Sequence, residues 1–185
     1  MKDSRYVFCL EVLDDGNAKH HSVILSWLEL LTQHYAITNV YQTCEDIEDF
    51  ETNLQILLHE DKHFKEYTIL YFVLEGKNNQ IEINNYYYSF EEIAELFEGK
   101  LQDKIIHFAN SFILDIDEEQ AQYFLDITGA KGISGYGFQT PIFSTVLDGF
   151  YFNLCQQYDD PIELVETLFQ EKYALAKSLD FRFYY

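Results

Sequence analysis

At 185 residues, 48% of them apolar and 17% aromatic, the chain can bury one full core, and a second independent domain would be cramped. Its 32 Asp and Glu against 12 Lys and Arg give a formal charge of −20. That charge argues against nucleic acid and anionic membranes as partners, because binding there depends on basic side chains displacing counterions; it favours a basic protein, a cationic peptide or a metal, or simply a solvated surface.

The first element is an apolar strand, Tyr6 to Leu13, ended by the turn Asp14-Asp15-Gly16-Asn17. From His20 to His34, Ile24, Trp27, Leu28 and Leu31 recur at helical spacing while Glu29 and Gln33 face elsewhere, which predicts an amphipathic helix packed on a sheet. Ala36 to Thr43 reads as a second strand. Glu45 to Glu60 sets Ile47, Phe50, Leu54, Leu57 and Leu58 on one face, a second helix with Glu45 and Asp46 at the positive end of its dipole.

Tyr67 to Leu74 is a continuous apolar run that breaks at Glu75-Gly76-Lys77, and it predicts a buried strand. Gln80 to Ile83 and Tyr86 to Tyr88 flank Asn84-Asn85, the pattern of a hairpin that either extends the sheet or flanks it. Ser89-Phe90-Glu91-Glu92 has the form of a capping box, opening a helix that Gly99 ends. Lys104 to Ala109 is the next strand, breaking at Asn110-Ser111. Asp117 to Gln120 repeats the capping pattern ahead of a helix stopped by Gly129. Lys131 to Ser134 reads as a short strand before Gly135-Tyr136-Gly137. Helices from about Phe143 to Tyr158 and from Asp160-Pro161-Ile162-Glu163 to about Leu179 complete the pattern. The aromatic tail Phe181 to Tyr185 fits either an edge strand or a segment docked in a groove.

Strands alternating with helices point to a single α/β domain over residues 1–185, a three-layer sandwich with a mainly parallel sheet covered on both faces. Right-handed crossovers then bring Asp14, Asp15, Glu75, Gly76, Asn110, Ser111 and Gly135 to one edge of the sheet, where open α/β sheets hold their ligands.

Cys9, Cys44 and Cys155 are far apart, odd in number and without CxxC spacing, so the expected compartment is a reducing cytoplasm. The N-terminal segment carries charges where a signal peptide needs its apolar core, and no apolar run is long enough to cross a bilayer. No metal site is expected: His20-His21 point to different helix faces, His59 and His63 lie where a helix ends, and the Asp14 to Asn17 turn lacks the alternating ligands of a calcium loop. The glycines Gly132, Gly135 and Gly137 match neither GxGxxG nor a P-loop, so no nucleotide cofactor is expected. His107, inside an apolar strand, reads as a hydrogen-bonded core histidine.

Four segments, Phe8 to Glu11, Ile69 to Gly76, Ile106 to Ser111 and Thr128 to Tyr136, together resemble the caspase-like α/β fold, in particular small bacterial caspase-like or CHAT-like proteins of uncharacterised function. The resemblance implies His-Gly at the end of one strand and Cys at the end of the next, the histidine activating the thiol as a nucleophile. Here Glu75-Gly76 stands in the first place and Ser111 in the second. A carboxylate is too weak a base for a serine hydroxyl unless burial raises its pKa greatly. The resemblance therefore implies a pseudoenzyme, a protein-interaction or sensor module using the former active-site edge. Two other readings stay open: an acidic inhibitor or immunity-type protein that neutralises a basic partner, and a hydrolase using Ser111 with Glu75.

Overall fold

The computed structural model describes residues 6–13, 22–139 and 144–185. Its main sheet is built from β1 (Tyr6–Val12), β2 (Thr38–Cys44), β3 (Tyr67–Val73), β7 (Ile105–Phe108), β8 (Gly132–Tyr136) and β9 (Phe181–Tyr184), in the order β2-β1-β3-β7-β8-β9. The first five run parallel and β9 pairs antiparallel to β8. The tail is therefore an edge strand.

Residues of alternate parity leave these strands on opposite faces, because strand side chains repeat every two residues. Phe8, Leu10, Leu70, Phe72, Ile106, Phe108 and Ile133 enter one core, covered by α2 (Ile47–Gln55), α3 (Phe90–Leu96) and α4 (Glu118–Thr128). Val7, Cys9, Ile69, Tyr71, Val73, Ile105 and Tyr136 enter the other, covered by α1 (Val23–Tyr35), α5 (Thr145–Gln157) and α6 (Pro161–Ser178). These are the three layers expected from the alternating pattern.

The helix ends follow the sequence signals. Ser89 with Glu92, and Asp117 with Gln120, each form a reciprocal capping box, and Asp160 caps α6 ahead of Pro161. The second helix is shorter than its periodicity predicts: α2 stops at Gln55 and Ile56–Glu60 continues as one π turn. Asp46 rather than Glu45 caps it, accepting from the Asp49 amide.

After β3 the chain turns into a separate antiparallel sheet, β4 (Glu75–Lys77), β5 (Gln80–Ile83) and β6 (Tyr86–Ser89). Its two turns, Asn78-Asn79 and Asn84-Asn85, hold all four asparagines at positive φ, between 46° and 64°. Asparagine tolerates that region, and two such residues in a row match the twist of a tight hairpin. The hairpin thus flanks the main sheet. Its inner face, Ile81, Ile83 and Tyr88, joins the core beneath α2 and α3.

Candidate functional site

The carboxyl ends of β3 and β7 are knitted together. Ser111 donates its hydroxyl to the Leu74 carbonyl at 2.7 Å, Gly76 bridges to Phe112, and the Ile113 amide donates to the Gly76 carbonyl at 3.3 Å. Gly76 has to be glycine here, since a Cβ would collide with the Gln80 carbonyl and lie 2.8 Å from the Phe112 ring.

Glu75 is exposed and sits directly opposite Glu82 across β4 and β5, with Tyr87 opposite Glu82 across β5 and β6. The Tyr87 hydroxyl donates to Glu82 Oε1 at 3.0 Å. Like charges placed opposite each other in a sheet repel. The edge therefore carries an outward pair of carboxylates beside one exposed tyrosine, Tyr87, while Tyr86, paired with Ile83 and packed on Tyr88, lies on the other face of the hairpin. No hydrogen bond joins Glu75 to Ser111 among the described residues.

Asn110 lies one residue before Ser111 but is buried, and it points the edge inward. Its Oδ1 accepts from the Ser144 amide at 2.9 Å, and the Ser144 hydroxyl donates to Asp148 Oδ2 at 2.7 Å. Asp148 has no exposed surface and accepts three further bonds: from Tyr71 at 2.9 Å, from Tyr136, and from His107 Nε2 at 2.8 Å. A carboxylate can only accept, so His107 Nε2 carries the proton of that bond, while Nδ1 lies 2.8 Å from the Ser134 hydroxyl, which also donates to the Ile106 carbonyl at 3.4 Å. The Tyr71 and His107 rings stack at 5.5 Å. Burial, then the neighbouring Asp148 charge, pushes the Tyr71 and Tyr136 hydroxyls well above their ordinary pKa.

Ser134, His107 and Asp148 thus make a hydroxyl–imidazole–carboxylate chain, the partners of nucleophilic hydrolysis. All three have zero exposure, so no substrate can reach the hydroxyl. The chain ties α5 to β7 and β8 instead, and Tyr71 adds β3. His107 is the core histidine that its place in an apolar strand predicts; Ser134, Asp148, Ser144 and the two tyrosines are not legible from local spacing.

Gly135 needs a correction. The strand expected to end at Ser134 runs on through Tyr136, so Gly135 lies within β8, opposite Arg182, rather than beyond the strand. A Cβ there would press on the Leu114 side chain at 3.1 to 3.2 Å, so this glycine serves packing. Asp14 and Asp15, with Gly16, Asn17, His20 and His21, lie outside the described residues.

The thiols do not supply a nucleophile. Cys9, Cys44 and Cys155 are buried; burial pushes Cys9 far up, and burial with Asp49 and Asp46 pushes Cys44 up to about 12. His63 pairs with Glu66 at 3.0 Å on the surface, and no group of three or more His, Cys, Asp or Glu side chains is placed to hold a metal among the described residues. No helix there is long and apolar enough to cross a membrane.

A model of a family of unknown function, DUF6642, matches residues 4–185 of this sequence. No curated protein matches it.

Proposed function

The chain belongs to the DUF6642 family, a family of unknown function, and on that premise we propose that it is a catalytically degenerate caspase-like domain that binds a basic segment of a partner protein at the carboxyl edge of its sheet. The observation that carries the reading is Ser111. Its hydroxyl is held by the Leu74 carbonyl, and the residue in the place of the histidine, Glu75, makes no hydrogen bond to it. A serine so held, with no base on it, does not attack a carbonyl.

What the edge offers instead is charge and aromatic surface. Glu75 and Glu82 repel one another until a cation lies between them, and the exposed Tyr87 beside Glu82 suits a Lys or Arg side chain. The total charge of −20 would speed the approach of a basic segment at low salt.

The test is fluorescence anisotropy with arginine-rich and glutamate-rich peptides, at low and high salt, for the wild type and for Glu75→Gln/Glu82→Gln. Basic peptides should bind and the double variant should weaken them. Hydrolysis of a peptide or ester that disappears in Ser111→Ala, or labelling of Ser111 by a fluorophosphonate, defeats the reading. A second reading, an acidic inhibitor acting through its whole surface, rests on the excess of 32 acids over 12 bases. It is favoured if binding is lost at high salt yet indifferent to the double variant.

A further inference from the structure

At the other end of the strands, the segments leading into β3 and β7 line an open cavity of about 450 Å³. Lys65, Lys100 and Lys104 line it against a single acid, Asp103. It adjoins a second cavity of about 490 Å³, which shares Thr68 and Asp103 with it and is lined by Lys131. Four of the 12 Lys and Arg of this acidic chain are thus gathered on one end of the sheet. Lys65, Lys100 and Lys131 make no ion pair with any described residue, although 32 acids were open to them.

Lys104 is fixed in place. Its ammonium donates to the Phe64 and Tyr67 carbonyls, each at 2.7 Å, and lies 4.5 Å from the centre of the Phe64 ring. An ammonium has three N–H donors, and these carbonyls take two. The third has no acceptor among the described residues. Lys104 is buried, so this is a preorganised positive group at a cavity wall rather than a solvated surface charge.

We propose that the Lys65, Lys100 and Lys104 cavity is an anion site that takes a phosphate group, free or carried by a small molecule. In that site phosphate oxygens accept the third Lys104 N–H and bonds from the exposed Lys65 and Lys100, which line the same cavity. The volume falls in the range of small-molecule sites, about 300 to 1,000 Å³, which leaves room for an organic portion against Phe64. Nucleic acid is the wrong size of anion for this protein: a long polyanion meets the whole −20 surface, whereas a small one within about 8 to 10 Å of the lysines feels mainly them. Burial lowers the Lys104 pKa, with Asp103 opposing, and a bound anion would raise it again.

The test titrates the full chain with inorganic phosphate and with adenosine monophosphate, read by amide NMR shifts and calorimetry at low salt. The site predicts saturable binding with shifts confined to residues 64–68 and 99–104. The Lys65→Gln/Lys100→Gln variant, which alters only exposed side chains, should bind at least about tenfold more weakly, while Lys172→Gln/Lys177→Gln on α6 should bind as the wild type does. Tighter binding of the nucleotide identifies an organic phosphate, and equal binding identifies free phosphate. No saturable shift, shifts centred elsewhere, or unchanged affinity in the Lys65→Gln/Lys100→Gln variant overturns the proposal.

Discussion

Replacing Asp148 by asparagine strikes the core network while keeping its volume. In the native chain Oδ1 accepts from His107 and Tyr136, and Oδ2 accepts from Tyr71 and Ser144. An amide keeps one acceptor oxygen and gains two donors. If that oxygen stays with His107 and Tyr136, the NH₂ faces the Tyr71 and Ser144 hydroxyls, which must rotate to accept. Their own protons then have nowhere to go, in a site with no exposure. Two orphaned donors cost about 1–3 kcal/mol each, so Asp148→Asn should lose about 2–6 kcal/mol of stability. With a urea slope of about 2 kcal/mol per molar, a loss near the middle of that range lowers the unfolding midpoint by about 2 M. Trp27 is the natural probe: it is the only tryptophan, and its ring packs 5.7 Å from Tyr71. A midpoint within about 0.3 M of wild type would refute the reasoning, because it would mean that the four donors do not depend on the charge of Asp148.

Three further perturbations separate packing from surface chemistry. Gly76→Ala should cost about 1–3 kcal/mol, since the new methyl meets the Gln80 backbone, which cannot move aside without breaking β5; Glu75→Gln, exposed one residue away, should stay within about 0.5 kcal/mol by the same urea assay. Ser111→Ala should lose about 1 kcal/mol for the bond to the Leu74 carbonyl, and leave whatever background ester hydrolysis the preparation has unchanged. Stability should collapse above about pH 10. Tyr71, Tyr136, Tyr151 and Cys9 all have raised pKa values in the fold, by burial first, so they keep their protons while the unfolded chain releases them. Their contribution is complete below the ordinary tyrosine and cysteine range and is lost as pH rises through it, by up to about 1.4 kcal/mol per pH unit for each group. Tyrosinate absorbance should therefore rise together with unfolding; a titration of all tyrosines in a chain that stays folded would count against this burial.

The sheet was legible because its strands announce themselves locally. Tyr67 to Val73 is apolar but for Thr68, the pattern of a strand covered on both faces, and the capping boxes at Ser89 and Asp117 depend on residues three apart. The misplacement of Gly135 has a tertiary cause: glycines at 135 and 137 look like turn residues, but at 135 the missing side chain makes room for Leu114. The tail could not be assigned for a similar reason, since FRFY has the same pattern whether it pairs with β8 or lies in a groove. Arg182 helps to fix it in place, donating to the Leu114 carbonyl and to Asp115 and Asp180. The core network was the least legible part. Apart from Ser144, four residues before Asp148, the donors to Asp148 lie 12 to 77 residues from it along the chain, a separation at which spacing carries no signal. The available clue was chemical: Asp148 is the only charged residue in Thr145–Gln157, a largely apolar helix, and His107 lies in an apolar strand. A lone acid and a lone histidine in apolar surroundings each need a partner, and they are each other's.

The network also bears on how the two ends of the sheet relate. Asp148 gathers one donor each from β3, β7 and β8 and one from Ser144 at the start of α5, so a single carboxylate fixes the helix over three strands. Ser144 in turn is bonded to Asn110, beside Ser111, at the carboxyl edge: its amide donates to Asn110 Oδ1, and its hydroxyl, which alanine would remove, accepts from the Asn110 amide at 3.4 Å. The lysine cavity at the amino edge is built from loops on the other side of these contacts and shares no residue with them. Residues without shared partners perturb one another little. Ser144→Ala should therefore disturb basic-peptide binding at the carboxyl edge through Asn110 while leaving phosphate binding unchanged. If both affinities shift together in that variant, the sheet couples its two ends and the two sites are not independent.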